Sequence, residues 1–150
     1  MLFYFFGHGG TVDGTANTPF AGVNVYEKSG YILNSGTVGV VPADVKGAIG
    51  NNTYDLVFLS GCLSADPREG SATKGFIAAF NTKCYLGWDA EMLAGTAASV
   101  SEAFWKSLDD ENTIAQAKAA VVQLKPFAGQ HLSIEKGGDV VIDLTPKKKE

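Results

Sequence analysis

The chain has 150 residues, 45% of them hydrophobic and 19% charged, and a formal net charge of −4. That is enough apolar material for one core in a single domain over residues 1–150, and eighteen glycines with so few charges exclude a coiled coil or a disordered tail. The acidic balance, with no basic patch before Lys147, Lys148 and Lys149, excludes a nucleic-acid or anionic-membrane surface, and no run approaches the roughly 18 apolar residues of a membrane span.

The first apolar run, Leu2-Phe3-Tyr4-Phe5-Phe6, stops at Gly7-His8-Gly9-Gly10. It lacks the basic lead, the length and the cleavage site of a signal peptide, so it reads as a strand that presents His8 among glycines able to adopt tight geometry. Buried parallel strands are normally flanked by others. A strand opening at residue 1 therefore points to the carboxyl-terminal part of a longer domain, its missing amino-terminal segment or an activating partner being supplied from elsewhere.

Residues 11–52 are turn-rich and polar, a loop expected to cover the site. Within it Val23-Asn24-Val25-Tyr26 and Tyr31-Ile32-Leu33, separated by Glu27-Lys28-Ser29-Gly30, predict a short hairpin off the main sheet. Pro42–Ile49 predicts a brief helix, with Pro42 suited to its first turn and Gly50 to its end. That helix returns the chain, by a crossover, to a second strand parallel to the first.

Leu56-Val57-Phe58-Leu59 is short, branched or aromatic, and apolar on both faces, the pattern of a strand in the middle of a parallel sheet. It ends at Ser60-Gly61-Cys62, at the mouth of the sheet where ligands bind in open α/β folds. A thiol is a weak nucleophile until deprotonated, and an imidazole supplies the base. If the two runs are parallel neighbours, His8 and Cys62 emerge at one edge and form the minimum constellation for acyl transfer.

Residues 63–70 read as a polar surface loop. A helix follows over 71–81, with Phe76, Ile77 and Phe80 on one face and Ser71 or Thr73 as its cap. Residues 83–89 form the next strand. Helices over 96–108 and 112–124 follow, and Leu132-Ser133-Ile134 with Val140-Val141-Ile142, joined across Gly137-Gly138, predict a closing hairpin. Cys84 reads as a small core residue and His131 as a surface histidine without a partner in sequence. Two cysteines are too few for a disulfide scaffold and are expected as thiols, which favours a cytoplasmic setting.

Tyr4-Phe5-Phe6-Gly7-His8-Gly9-Gly10 and Tyr54-Asp55-Leu56-Val57-Phe58-Leu59-Ser60-Gly61-Cys62 resemble the strand-then-His-Gly and strand-then-Cys signatures of caspase-like cysteine peptidases. The later elements, including Gly87-Trp88-Asp89 and the helix with Phe104-Trp105, are similar in layout to the CHAT, separase and gingipain branches, over about residues 2–124. The resemblance implies a three-layer α/β/α sandwich around a mostly parallel sheet, truncated at its amino terminus. It implies a cysteine-type endopeptidase acting on protein or peptide substrates without a cofactor. His8 and Cys62 would be the dyad, and backbone N–H groups of Gly9 and Cys62 the oxyanion hole. Trp88 and Asp89 would line the pocket for the residue before the scissile bond. An acidic group there selects Lys or Arg, with Asp66 and Glu91 as rivals to Asp89. The bland alternatives are Trp88 as core packing, Asp89 as a loop residue, and the whole chain as a catalytically inactive caspase-like interaction module.

Overall fold

The computed structural model describes residues 1–11, 18–20, 23–25, 31–35, 38–67, 73–109 and 111–144, with the backbone alone described at residue 8 and in the strands between residues 10 and 39. The turn expected at 27–30, Ser71 as a helix cap and the terminal lysines lie outside the described residues.

Four strands form the main sheet in the order β1 (Leu2–Phe6), β7 (Tyr54–Ser60), β8 (Thr82–Trp88) and β9 (Leu132–Lys136), with five short strands between β1 and β7. β1, β7 and β8 are parallel and β9 is antiparallel to β8. The architecture is mixed α/β. β7 is central because its side chains can be buried on either face: Leu56, Val57, Phe58 and Leu59 are all fully buried.

Those alternating faces meet two different cores. Val57 and Leu59 pack with Val45 of α1 (Pro42–Ile49) and with Phe76 and Phe80 of α2 (Thr73–Phe80). On the other face, Leu56 and Phe58 pack with Val100 and Phe104 of α3 (Ala94–Ser107) and with Ile114 and Val121 of α4 (Ile114–Leu124). Helices thus cover both faces. Phe58 anchors the second core, with the rings of Tyr4, Phe104 and Trp88 at centroid distances of 5.3, 5.6 and 5.9 Å, tilted or edge-on as ring quadrupoles prefer. Among the described helices none is long and apolar enough to cross a membrane.

Local chemistry sets the helix ends close to where the sequence places them. Pro42 opens α1 while the Asp44 carboxylate accepts the Val41 N–H at 3.1 Å, and Gly50 closes it at φ 62°. Thr113 and Gln116 cap α4 reciprocally: Gln116 N–H donates to Thr113 Oγ1 at 3.2 Å and Thr113 N–H to Gln116 Oε1 at 2.8 Å. A short helix α5 (Pro126–Gly129), unforeseen in the sequence, then leads to β9.

Both expected hairpins are corrected. β4 (Val23–Val25) pairs with β3 (Thr18–Phe20), while β5 (Tyr31–Ser35) pairs with β2 (His8–Thr11) and β6 (Val38–Val40). Among its described residues, the region expected as a loop holds short strands paired in small antiparallel sheets, and the strand starting at His8 pairs with β5 and not with the nearer Val23–Val25. At the carboxyl end β9 joins the edge of β8, burying Leu132, and Val141 makes an isolated bridge to Thr113. Edge addition satisfies the open N–H and C=O groups of β8, which a detached hairpin would leave unpaired.

Phe58→Ala should cost about 3–5 kcal/mol, the range for removing a buried phenylalanine, and lower the midpoint of a urea titration without changing its slope. A loss below about 1 kcal/mol would contradict the central packing assigned to this ring.

Candidate active site

The edge at which β1 and β7 end is set by their register. Leu2 lies opposite Leu56 and Phe6 opposite Ser60, and the Gly7 N–H extends the ladder by donating to the Ser60 carbonyl at 3.2 Å. Two residues past the Phe6–Ser60 pair stand His8 and Cys62. There the chains part, His8 entering β2 opposite Asn34 and the other strand entering the turn at residues 61–65.

That turn is not the surface loop the sequence predicts. Ser64, Ala65 and Asp66 are buried, because the segment folds back onto the end of β8. Ala65 N–H donates to the Trp88 carbonyl at 2.9 Å and Leu63 N–H to that of Ala90 at 3.2 Å. The Ser64 hydroxyl donates to the Leu59 carbonyl and accepts from the Trp88 N–H at 2.9 Å, and the Tyr85 hydroxyl donates to the Ser64 carbonyl at 2.8 Å. Gly87 permits this approach: a Cβ there would stand 2.5 Å from Ser64 Oγ and 2.9 Å from Ala65 N. Leu63 takes a left-handed conformation, φ 58°, inside the same turn.

Cys62 is half-buried, and its sulfur is held by the segment ahead of α3. Met92 N–H donates to Sγ at 3.3 Å and Sγ–H donates to the Met92 carbonyl at 3.4 Å. Beside it lies a cavity of about 130 Å³. Phe6 borders it from β1 with Gly7 just past that strand, Ser60 from β7 with Cys62 in the turn that follows, and Trp88 from β8. Met92, Ala94 and Ala97 also line it. A wider depression of about 600 Å³ lies at the opposite end of the strands, against Met1, Asp55 and Lys83. Three of its charges are held together: Lys83 Nζ donates to Asp55 at 2.7 Å, and this bond, followed by one from the amino terminus, holds the Asp55 carboxyl down to about 2. The smaller cavity is the one that borders the thiol.

The other expected site residues fall into three groups. Trp88 borders the cavity and is also core, its Nε1–H donating to Ser60 Oγ at 3.0 Å while Ser60 Oγ lies 3.2 Å from Ser101 Oγ. Asp89 is outside the cavity lining, and His131 Nδ1 lies 2.8 Å from its carboxylate. His131 is a surface histidine, as read, and finds in space the partner it lacks in sequence: as β9 adds to β8, residue 131 comes level with residue 89, and the Asp89 N–H also donates to the His131 carbonyl at 3.1 Å. Gly9 lies in β2 opposite Leu33, and of the rivals to Asp89, Asp66 is buried under the turn and Glu91 is exposed.

Ser60, Met92, Ala94 and Ala97 were missed in the sequence. Ser60 carried a signal, a hydroxyl ending an otherwise apolar strand; Ala94 and Ala97 carried none, since small residues on an amphipathic helix look like any other packing positions. Among the described residues, no group of three or more His, Cys, Asp or Glu side chains could hold a metal. No family model, curated protein or solved structure matches the chain.

The two thiols differ physically. Cys84 is fully buried in the middle of β8, and burial, with a smaller contribution from the Asp139 charge, pushes it up to about 12. The unfolded thiol ionises near its ordinary value of about 9, so stability from Cys84 is intact below that pH and is lost as pH rises toward about 12. Iodoacetamide at mildly alkaline pH should therefore label native protein once, at Cys62, and reach Cys84 only after unfolding. Peptide mapping that finds Cys84 modified in folded protein would contradict this.

Proposed function

We propose that the protein is a cysteine endopeptidase of the caspase-like kind, with Cys62 as nucleophile and His8 as acid/base partner. The observation that carries the reading is that the backbones at residues 8 and 62 leave adjacent parallel strands at the same edge, two positions beyond one register pair, with Cys62 bordering a cavity. In the proposed reaction the proton of Sγ passes to the His8 imidazole and sulfur bonds to the peptide carbonyl carbon. The resulting oxyanion accepts N–H donors at Gly9 and Cys62, each worth about 2.7–4 kcal/mol in comparable acyl-transfer sites. Collapse breaks the C–N bond as His8 protonates the leaving amine. Water, deprotonated by His8, then cleaves the thioester and restores the thiol.

A preference for Lys or Arg before the scissile bond is not part of this reading, because the Asp89 carboxylate is already engaged by His131 and stands outside the cavity. The alternative, an interaction module without catalysis, is favoured by one observation: both polar groups of the Met92 backbone hold the Cys62 sulfur.

A fluorogenic peptide library separates the two. Cleavage should be abolished in Cys62→Ala and reduced about 10²–10⁴-fold in kcat/KM in His8→Ala, the usual contribution of a positioned acid/base. A wild-type protein that cleaves nothing, or a Cys62→Ala variant that cleaves as well as wild type, would count against the peptidase.

A further inference from the structure

Taking the thiol as the nucleophile, as above, the character of the space beside it decides which substrates it can hold. Phe6, Trp88, Met92, Ala94 and Ala97 give the cavity apolar walls, and Ser60 is a polar residue on its border. The Ser60 hydroxyl is not seeking a partner: Trp88 Nε1–H donates to it at 3.0 Å and the Ser101 hydroxyl lies 3.2 Å away. No carboxylate stands among the described lining residues, and the nearest acidic candidate on β8, Asp89, faces His131.

Size narrows the choice further. The cavity measures about 130 Å³, and a void of about 150 Å³ with aliphatic and aromatic walls holds one benzene-sized group. A guanidinium or ammonium group placed here would lose its water and gain no counter-charge from the described lining residues, which is strongly unfavourable. An aliphatic side chain loses nothing and releases the poorly bonded water of an apolar recess. Ala94 and Ala97 are what leave the recess open: one turn of α3 presents two methyl groups where larger residues would fill it.

We propose that this cavity is the specificity pocket of the site and that it takes an aliphatic side chain of leucine or methionine size, immediately before the scissile bond, in preference to a basic one. Discrimination comes from the alanine pair, while the bond from Trp88 Nε1–H to Ser60 Oγ and the contact of Ser60 Oγ with Ser101 Oγ hold the indole behind them in place.

The test uses two peptidyl chloromethyl ketones, identical except for leucine or arginine next to the reactive carbonyl, on the intact protein, with labelling of Cys62 followed by mass spectrometry. The leucine probe should label Cys62 at least about tenfold faster, the discrimination expected for a matched apolar pocket. Ala94→Phe, a change at an exposed helix position that puts a ring at the cavity mouth, should remove that preference while the thermal melt stays that of wild type. Equal rates, or faster labelling by the arginine probe, would overturn the pocket assignment and leave the peptidase reading standing, because Cys62 would still react with a peptide. A leucine preference that survives Ala94→Phe would also overturn it. Labelling of Cys62 by iodoacetamide but by neither peptide probe would instead remove the peptidase reading itself.

Discussion

Two parallel strands that share a register must leave their sheet at the same edge, and the pairing of β1 with β7 imposes that on two residues far apart in sequence. Antiparallel pairing of the same five-residue run would put its two ends about 17 Å apart at the usual rise per residue, too far for any proton transfer. What enforces the parallel arrangement is β7 itself. With Leu56 and Phe58 buried on one face and Val57 and Leu59 on the other, it cannot serve as a one-sided strand, and it takes a neighbour on each side and helices above and below. The aromatic contacts of Phe58 with Tyr4 and Trp88 tie both neighbouring strands to it.

A second constraint acts on the thiol. The turn at residues 61–65 could swing freely if it were the polar surface loop its composition suggests. Instead the Ser64 hydroxyl, the Tyr85 hydroxyl and the backbones of Ala65 and Trp88 bind it to the end of β8 inside the molecule. A buried bond of this kind is worth about 1 kcal/mol when made, but losing one partner costs about 1–3 kcal/mol, because the other is left dry and unpaired. The turn is therefore held mainly by the penalty for letting go. Gly87 is the residue that permits it, since any side chain there would occupy the place of Ser64.

Much of this was legible in residue patterns where burial is local in sequence. Leu56–Leu59 announced a two-faced strand, the spacing of Phe76 and Phe80 announced α2, and the apolar spacing over residues 112–124 announced α4, which starts at Ile114, within two residues of the expected point. Partners across the sheet were harder. Tyr31–Ser35 has the same composition whether it pairs with Val23–Val25 or with His8–Thr11, and nothing in a strand of mixed polar and apolar residues states its partner. The Asp89–His131 contact depends on β9 adding to β8, a choice made by an edge with open hydrogen-bonding groups. Polarity misled at Ser64 and Asp66, whose burial rests on bonds to distant backbone that no local rule anticipates.

Everything chemical depends on residues 8 and 62 being neighbours across the sheet edge, and a cross-link measures that directly. In a Cys84→Ala background, His8→Cys should close to a disulfide with Cys62 under mild oxidant. Such a bond needs Cα atoms about 4.4–6.8 Å apart, so it forms only if the two chains, which part after the Phe6–Ser60 pair, are still close at positions 8 and 62. Peptide mapping that joins the two positions within one chain is the predicted result. A protein in which both thiols stay reduced, or in which position 8 couples only to a second copy, would contradict the adjacency and the chemistry built on it.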